Sequence, residues 1–268
     1  MGDLKIGTSG WVYDFWMGEF YPTFSKPNDY LKIYSKIFYL VEIDSSFYRF
    51  PSRKSTGLWA DETPDNFIFT AKIPRRITNE KRLTDYKRDL EYLYEVFQPL
   101  QKKLAAFLIQ LPPSFTFTEG MGKLSLFLHD LDNSYRYSIE FRHDSWFRSE
   151  TYDLLNANHV SLAWSEVPFV TNPGILTSDF IYLRFIGERD LPESSLGEIR
   201  RDLQDKKQLW ARRLLKHLQG VKSAYVFFNN RFEGFAPGSV NSFRNILGIG
   251  SIDFKTLNLG TQQTLFDF

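Results

Sequence analysis

The run FIYLRFIG at residues 180–187 is apolar along almost its whole length, apart from Arg184. A strand of this composition buries both faces, which is typical of a parallel sheet covered by helices. Seven further runs resemble it: LKIGTS from Leu4, LVEID from Leu40, FIFTAKI from Phe67, AAFLIQL from Ala105, YSIEFR from Tyr137, VSLAWS from Val160 and AYVFFNN from Ala224. Eight strands, joined by connections too long for hairpins, predict an α/β fold, a single-domain TIM-type (β/α)₈ barrel.

Helical patterns occupy most of the connections between these runs. They predict helices at Asp29–Phe38, Thr84–Leu100, Glu119–Leu131, Ser149–Ala157, Glu198–Leu218 and Pro237–Leu247. The sixth connection, PFVTNPGILTSD at 168–179, has no helical pattern and is expected to be an irregular loop. Composition changes near Gly248-Ile249-Gly250, so we expect a barrel domain over residues 1–247 and a tail over 248–268.

Composition excludes several classes of protein. The 268 residues include no cysteine, which rules out disulfides, thiolate nucleophiles and cysteine-bound zinc. No apolar run approaches the roughly 18 residues that cross a bilayer, and the first residues lack a signal-peptide pattern, so a cytoplasmic protein is expected. The balance of 33 basic and 32 acidic residues gives no overall attraction to polyanions. Any nucleic-acid binding therefore has to rest on a local basic patch.

Polar residues follow nearly every predicted strand at its carboxyl end, where barrel enzymes place their active sites. They are Ser9, Glu42, Asp44, Lys72, Gln110, Glu140, Arg142, His143, Ser165, Glu166, Arg184, Asn229 and Asn230. Charges inside apolar runs are costly to bury unless they are paired or contact a ligand. We expect a ligand site; the alternative is an internal salt-bridge network, for instance Glu42 with Lys72 and Glu140 with Arg184.

Two other segments could take part in binding. The loop GTSGWVYDFWMGEFYP at 7–22 is rich in aromatic rings, and Trp11 and Tyr13 are candidates for a wall that stacks on bases or sugars. The alternative is a lid whose rings plug the barrel. Residues 72–88 carry seven basic side chains against two acidic ones, which could hold a phosphate backbone.

Seven motifs resemble the successive signatures of the YecE-like family, domain of unknown function 72. They are GTSGWVYDFWMGEFYP, VEIDSSFYRFPS, FTAKIPRRITNEKRL, LIQLPPSF, IEFRHDSW, YLRFIG and FFNNRFEGFA, spread from Ile6 to Leu247. The resemblance implies a TIM-type barrel without an assigned reaction. It also implies a pocket lined by Glu42, Lys72, Gln110, Glu140, Arg142, His143, Arg184 and Asn229. Asn79 and Ile186 stand where relatives often have histidine, which weakens any metal or proton-transfer role of those positions.

The candidate site favours some chemistries over others. His143 alone of the four histidines follows a strand end, so a multi-zinc site is not expected, whereas one divalent ion held by Glu42 and Glu140 stays open. Barrel glycosidases commonly take their two catalytic carboxylates from strands four and seven, where this chain has Gln110 and Arg184. The sequence therefore weakens the glycosidase interpretation without excluding it. A Schiff base on Lys72 is disfavoured, because the neighbouring Glu42 would keep the amine charged.

These residues fit an anionic, phosphate-containing ligand, with nucleic acid as the leading candidate. Glu140 or Glu42 would act as general base, with Lys72 and His143 as further catalytic candidates. The predicted binding residues are Arg142, Arg184, Gln110, Asn229, Trp11 and Tyr13. We expect either a hydrolase or nuclease of DNA repair or replication, or a barrel that binds nucleic acid or a phosphorylated ligand without catalysis. A small-molecule metabolic enzyme is a further alternative.

The last seven residues, QQTLFDF at 262–268, resemble the box that binds the sliding clamp PCNA. In that motif a glutamine is followed three residues later by an aliphatic residue and six residues later by an aromatic one. Gln262, Leu265 and Phe268 have this spacing, although the second adjacent aromatic of the usual box is missing. We therefore expect a sliding clamp as partner, with DNA as the associated ligand; the alternative is an apolar tail that packs on the barrel.

Overall fold

The computed structural model describes residues 2–188 and 190–254. Its strands are β1 (Asp3–Ser9), β2 (Leu40–Ile43), β3 (Ile68–Lys72), β4 (Leu104–Gln110), β5 (Tyr137–Glu140), β6 (Ser161–Leu162), β7 (Trp164–Glu166), β8 (Phe180–Phe185) and β9 (Ser223–Phe228). Its α-helices are α1 (Tyr30–Ile37), α2 (Arg53–Asp61), α3 (Lys87–Phe97), α4 (Phe117–His129), α5 (Ser149–Ala157), α6 (Gln204–His217), α7 (Asn230–Glu233) and α8 (Ala236–Ile246).

The strands form one parallel sheet that curls into a nearly closed barrel, in the order β6-β5-β4-β3-β2-β1-β9-β8-β7. The two end strands, β6 and β7, are separated in the chain by Ala163 alone. The Ala163 amide donates to the Ile139 carbonyl at 2.8 Å, so this residue still contacts the β5 side of the sheet. The α/β barrel is therefore confirmed with nine strands instead of eight, because the sixth predicted strand is split into two.

The six predicted helices are present, five with shifted ends and α5 with the predicted bounds Ser149–Ala157, and the irregular loop before β8 is confirmed. The largest shift concerns α6, which begins at Gln204 although a start at Glu198 was predicted. Sequence patterns missed α2, because it contains Gly57 and buries only Thr56. Its start is capped by Ser52, whose hydroxyl accepts the Ser55 amide at 3.0 Å.

Alternate residues of each strand face the barrel interior, because side chains along a strand point to opposite sides of the sheet. An inner apolar cluster contains Leu40, Phe180 and Tyr182 and is separate from the larger core between strands and helices. Two residues further along the same strands come Glu42 and Arg184, both buried. The interior thus changes from apolar to charged toward the carboxyl ends of the strands, which is where the candidate site lies.

The aromatic loop after β1 packs mostly into the protein, as the lid alternative predicted. Trp16, Phe20 and Tyr21 are fully buried. The Trp16 indole donates to the Asn230 side chain at 2.9 Å, and Tyr21 stacks on Tyr30 with ring centres 4.2 Å apart. These rings stabilise the top of the barrel and leave few aromatic faces of the loop open to a ligand.

The beginning of the predicted tail is attached to the barrel. The Ile252 amide donates to the Asn241 side chain at 2.8 Å, and the Phe254 ring lies 5.1 Å from that of Phe20. The clamp-type motif at 262–268 lies outside the described residues. In the described parts of the chain, no helix is both long enough and apolar enough to span a membrane.

Candidate functional site

Arg184 occupies the centre of the charged layer inside the barrel. Its Nη2 donates to Glu42 Oε1 at 2.7 Å, and its Nη1 donates to Glu140 Oε2 at 2.5 Å. Asp44 Oδ1 lies 3.9 Å from Nη2. Because β8 and the strands that carry the two glutamates lie on different sides of the barrel, one guanidinium ties these walls together.

The second oxygen of each glutamate is also hydrogen bonded. Tyr182 donates to Glu42 Oε2 at 2.7 Å and is itself 2.8 Å from the Thr70 hydroxyl. Arg142 donates through Nε to Glu140 Oε1. Both glutamates are therefore buried, and each of their carboxylate oxygens accepts a hydrogen bond. The pair of Glu140 with Arg184 is the one that the salt-bridge alternative predicted. The alternative pair of Glu42 with Lys72 does not form.

Lys72 pairs instead with Asp44. Its Nζ donates to Asp44 Oδ1 at 3.2 Å and lies 3.9 Å from the centre of the Phe47 ring. The Lys72 side chain is 7% exposed and that of Asp44 is 29% exposed. In this ion pair the Asp44 carboxylate is the part exposed to solvent. Glu42 and Glu140 beneath it are fully buried.

An open cleft of about 590 Å³ lies above these groups, at the carboxyl ends of the strands. It is lined by Asp44, Phe47, Tyr48, Lys72, Gln110, Arg142, Pro168, Phe169, Arg184, Ile186, Gly187, Asn229 and Arg231. Four of these residues are cationic and one is a carboxylate. The Arg184 Nε is buried and makes no hydrogen bond within the described residues. The cleft therefore presents mainly hydrogen-bond donors, although Glu42 and Glu140 beneath it pair with Arg184 and Arg142 and offset part of their positive charge.

The pKa values of the site reflect competition between burial and charge. Burial alone would raise the pKa of Glu140, but Arg142, Arg184 and Lys72 together lower it to about 2. Burial would likewise raise the pKa of Asp44, and Lys72 and Arg184 reverse the direction. Burial lowers the pKa of Lys72, which Asp44 opposes and Arg184 reinforces. Because the pKa values of Glu140 and Asp44 are both lowered, basicity does not separate them as general bases, and access to a ligand decides between them.

Acid should destabilise the protein through Glu140. Its pKa is about 2 in the folded chain and 4.5 in its ordinary state. The unfolded chain therefore takes up the proton first, and the free energy of unfolding falls as the pH drops from 4.5 towards 2, by about 3 kcal/mol. Urea unfolding at pH 5 and pH 3 measures about 2 kcal/mol of this fall, because pH 3 is still above the folded pKa. Glu140→Gln, which cannot titrate, should lose less between the two pH values; an equal loss in both proteins would contradict the assignment.

The other predicted site residues divide into two groups. Gln110 and Asn229 line the cleft; Gln110 accepts from Arg142 at 3.2 Å, and the Asn229 side chain accepts the Arg231 amide at 3.0 Å. His143 does not line it, and its Nδ1 accepts the Ser145 amide at 3.1 Å. This contact caps a short 3₁₀ turn at Asp144–Trp146.

Trp11 and Tyr13 line a neighbouring groove of about 710 Å³. Trp11 is buried and packs edge-on against Trp59, with ring centres 5.3 Å apart. The Tyr13 hydroxyl donates to the Ser9 carbonyl at 2.6 Å. The groove meets the cleft at Asp44, so these two rings flank the charged cluster without entering it.

The basic segment at 72–88 is largely neutralised by acidic neighbours. Ion pairs join Lys72 with Asp44, Arg75 with Glu80, Arg76 with Asp89, Lys81 with Asp85 and Asp89, Arg82 with Glu119, and Lys87 with Asp130. Each such pair reduces the charge available to a phosphate backbone. The residue count alone therefore overstates the positive potential of this segment.

The two glutamates predicted to hold a divalent ion enclose a guanidinium group. Arg184 takes one oxygen of Glu42 and one of Glu140. Across residues 2–188 and 190–254, no group of three or more acidic or histidine side chains is arranged to hold a metal ion. The carboxylate oxygens of these two glutamates therefore bind the cationic side chain of Arg184.

Sequence reasoning did not place Tyr182, Phe47, Tyr48 and Arg231 in the site, and it noted Asp44 at a strand end without giving it a catalytic or binding role. A signal existed for two of them. Asp44 follows Glu42, and Tyr182 precedes Arg184, by two residues, which is the spacing that puts side chains on one face of a strand. Arg231 lies in α7, whose single helical turn is too short for a periodic pattern.

A family model described as "Protein of unknown function DUF72" matches residues 5–262. The match extends past Leu247, where the sequence indicated the end of the barrel domain. UPF0759 protein YunF of Bacillus subtilis (strain 168) is 26% identical in an alignment of 273 residues, gaps included. The alignment covers 92% of this chain and 95% of that protein. UPF0759 protein YecE of Escherichia coli (strain K12) is 24% identical over 237 residues, covering 79% and 83% of the two chains.

Solved structures of similar proteins share the architecture. A DUF72 family protein of Thermotoga maritima superposes with a TM-score of 0.77 and 30% identity, covering 92% of this chain and 99% of that one. A DUF72 family protein of Enterococcus faecalis gives a TM-score of 0.75 at 22% identity, covering 94% and 98%. The latter likeness supports the fold alone.

Proposed function

This chain belongs to the DUF72 family, whose description carries no activity, and from its own cleft we propose that it binds an anionic, phosphate-containing ligand. The observation that supports this proposal is the lining of the 590 Å³ cleft by Lys72, Arg142, Arg184 and Arg231 against the single carboxylate of Asp44. Arginine forks and lysine ammonium groups are the side chains that bind phosphate oxygens most strongly. A cleft of this volume is suited to a small ligand.

The arginines of the cleft differ in how strongly other groups of the protein hold them. Arg184 is held by two glutamates and fixes the floor. Arg231 donates to the Leu191 carbonyl at 2.6 Å, and its guanidinium lies 3.5 Å from the mostly exposed carboxylate of Glu193. An incoming phosphate can replace such an exposed contact at little cost. We therefore assign Arg231 to the ligand and Arg184 to the support of the site.

Arg231→Gln should weaken the binding of inorganic phosphate at least tenfold. The substitution removes a charge-assisted hydrogen bond, worth about 1.5–3 kcal/mol. It keeps a polar, uncharged amide on a shorter side chain. Isothermal titration calorimetry measures the dissociation constant. Arg212→Gln removes the same charge from an exposed position on α6 and should leave the affinity unchanged. Equal affinities for the wild type and Arg231→Gln would contradict the assignment.

A reaction in this cleft would use Asp44 and Lys72. Asp44 is the carboxylate that faces the ligand space, whereas Glu42 and Glu140 lie below it with their oxygens bonded. We therefore move the general-base role, assigned to the glutamates on sequence grounds, to Asp44. Hydrolysis of a phosphate ester would require it to activate water beside a phosphate bound by the arginines.

Nucleic acid is a second candidate ligand, favoured by a groove of about 880 Å³ that adjoins the cleft at Phe47 and Tyr48. Its lining includes Arg49, the ion-paired Arg75 and Arg76, and aromatic side chains on which bases could stack. Salt-dependent binding of an oligonucleotide without cleavage would favour a binding barrel. Cleavage of abasic or flapped DNA with Mg²⁺, Mn²⁺ or Zn²⁺ would favour a nuclease of DNA repair.

The sliding-clamp partner and the cytoplasmic location stay predictions. The clamp prediction rests on Gln262, Leu265 and Phe268 alone. Binding of a peptide covering residues 260–268 to a sliding clamp, and its loss on replacing Leu265 and Phe268 with alanine, would test it.

A further inference from the structure

Lys72 is a buried amine with one hydrogen-bond acceptor among the residues that the structure describes. Its Nζ donates to Asp44 Oδ1 at 3.2 Å, and the Phe47 ring centre lies 3.9 Å away. The side chain is 7% exposed, yet it lines the cleft. The amine is thus withdrawn from bulk water and still accessible to a ligand in the cleft.

The surrounding carboxylates give this amine little countercharge. Glu42, which the sequence suggested would keep Lys72 charged, is bonded to Arg184 and Tyr182. Glu140 is bonded to Arg142 and Arg184. Asp44 remains, and Arg184 lies 3.9 Å from the same oxygen that accepts from Lys72. Burial and the nearby Arg184 lower the pKa of Lys72 although the three carboxylates oppose that shift, and a lowered pKa is the condition in which a lysine becomes nucleophilic.

We propose that Lys72 Nζ forms an imine with the carbonyl carbon of a phosphorylated aldehyde or ketone bound in the cleft. The inference rests on the proposed phosphate site, because the arginines would hold the phosphate while the carbonyl group reaches the amine. Arg142 and Arg231 line the same cleft as Lys72, so one small molecule can contact all three. The nucleophile, the proton acceptor and the anion-binding groups therefore share one compartment.

The step balances with the groups present. Asp44 accepts a proton from the Lys72 ammonium, and the free amine attacks the carbonyl carbon. The C–N bond forms while the carbonyl electron pair moves to oxygen, and a proton passes from the attacking nitrogen to that oxygen to give a neutral carbinolamine. Asp44 then returns its proton to that hydroxyl group, the C–O bond breaks and water leaves. The net change converts one ammonium and one carbonyl group into one protonated imine and one water molecule.

Trapping with sodium borohydride tests the proposal, with glycolaldehyde phosphate as the probe and the full chain as the protein. Borohydride reduces the imine to a stable secondary amine, which peptide mass spectrometry locates. Lys72 should be labelled at least tenfold faster than the exposed Lys54, and excess inorganic phosphate should protect it. Asp44→Asn should slow the labelling of Lys72 at least tenfold while Lys54 is labelled as before.

The possible results separate this inference from the proposed function. Labelling of Lys72 no faster than Lys54, in a protein that still binds inorganic phosphate by calorimetry, overturns the imine and leaves the phosphate site standing. Equal labelling by unphosphorylated glycolaldehyde overturns the assignment to phosphorylated substrates. Loss of both phosphate binding and selective labelling overturns the two proposals together. Circular dichroism of Asp44→Asn distinguishes a slower reaction from a failure to fold.

Discussion

Arg184→Met should lower the free energy of unfolding by about 3–5 kcal/mol, because it leaves the buried Glu42 without a countercharge and Glu140 with Arg142 alone. Arg184 is 2% exposed and contacts Glu42 and Glu140, which are both fully buried. Methionine fills much of the same volume, so the loss reports charge more than packing. Urea unfolding of the wild type and the variant at pH 7 measures the difference.

A second variant separates the ion network from simple packing. Adding Glu42→Gln and Glu140→Gln to Arg184→Met removes both carboxylates that contacted Arg184, leaves Arg142 without Glu140, and should recover part of the lost stability. Single Glu42→Gln should destabilise less than Arg184→Met, since Arg184 keeps Glu140 as a partner. If the triple variant is no more stable than Arg184→Met, electrostatic pairing does not stabilise the interior of the barrel.

Gly7→Ala should have an effect of similar or larger size on folding. A Cβ at this position would lie 1.9 Å from the Leu40 carbonyl oxygen and 3.0 Å from the Tyr34 hydroxyl oxygen. That carbonyl cannot move freely, because Tyr34 donates to it at 2.8 Å and Leu40 belongs to β2. Separating β1 from β2 would break the register that brings Ser9 opposite Glu42. We expect at least 3 kcal/mol of destabilisation, on the order of the upper range for overpacked cores.

Gly57→Ala provides the matched control for this prediction. Gly57 lies inside α2, and a Cβ there meets no atom within 4 Å. Alanine favours the helix over glycine by about 0.5–1 kcal/mol, so this variant should be more stable than the wild type. Thermal unfolding followed by circular dichroism compares the two substitutions. A Gly7→Ala protein as stable as the wild type would show that β1 and β2 can separate without cost.

The sequence predicted the strands better than the connections, for a physical reason. A strand buried on both faces leaves a nearly continuous apolar run, and each of the eight runs is found in the sheet. Helix α2 leaves no such pattern, because one residue of its nine is buried. The split at Ala163 depends on which neighbouring strand each half of the run pairs with, and no local pattern encodes that choice.

The site was predicted as a set of residues more successfully than as a set of pairs. The polar strand ends of Glu42, Lys72, Glu140 and Arg184 do meet inside the barrel, because parallel strands end at the same edge. Of the two suggested pairs, Glu140 with Arg184 forms, whereas the partner of Glu42 was predicted wrongly: it is Arg184, 142 residues away in the chain. Because Arg184 binds Glu42, Lys72 pairs with Asp44 instead. Asp44 is also the carboxylate that faces the ligand space.

Crystals of the protein soaked in inorganic phosphate test anion binding in the cleft most directly. The soak is made at about ten times the dissociation constant measured by calorimetry, so that about nine-tenths of the sites are filled. We predict tetrahedral density within hydrogen-bond distance of Arg231 and of Arg142 or Lys72 in the wild type, and density of at most about half that occupancy at this place in Arg231→Gln, as a tenfold weaker affinity requires. Phosphate bound elsewhere on the surface, with an unchanged cleft between Lys72 and Arg231, would contradict the proposed function.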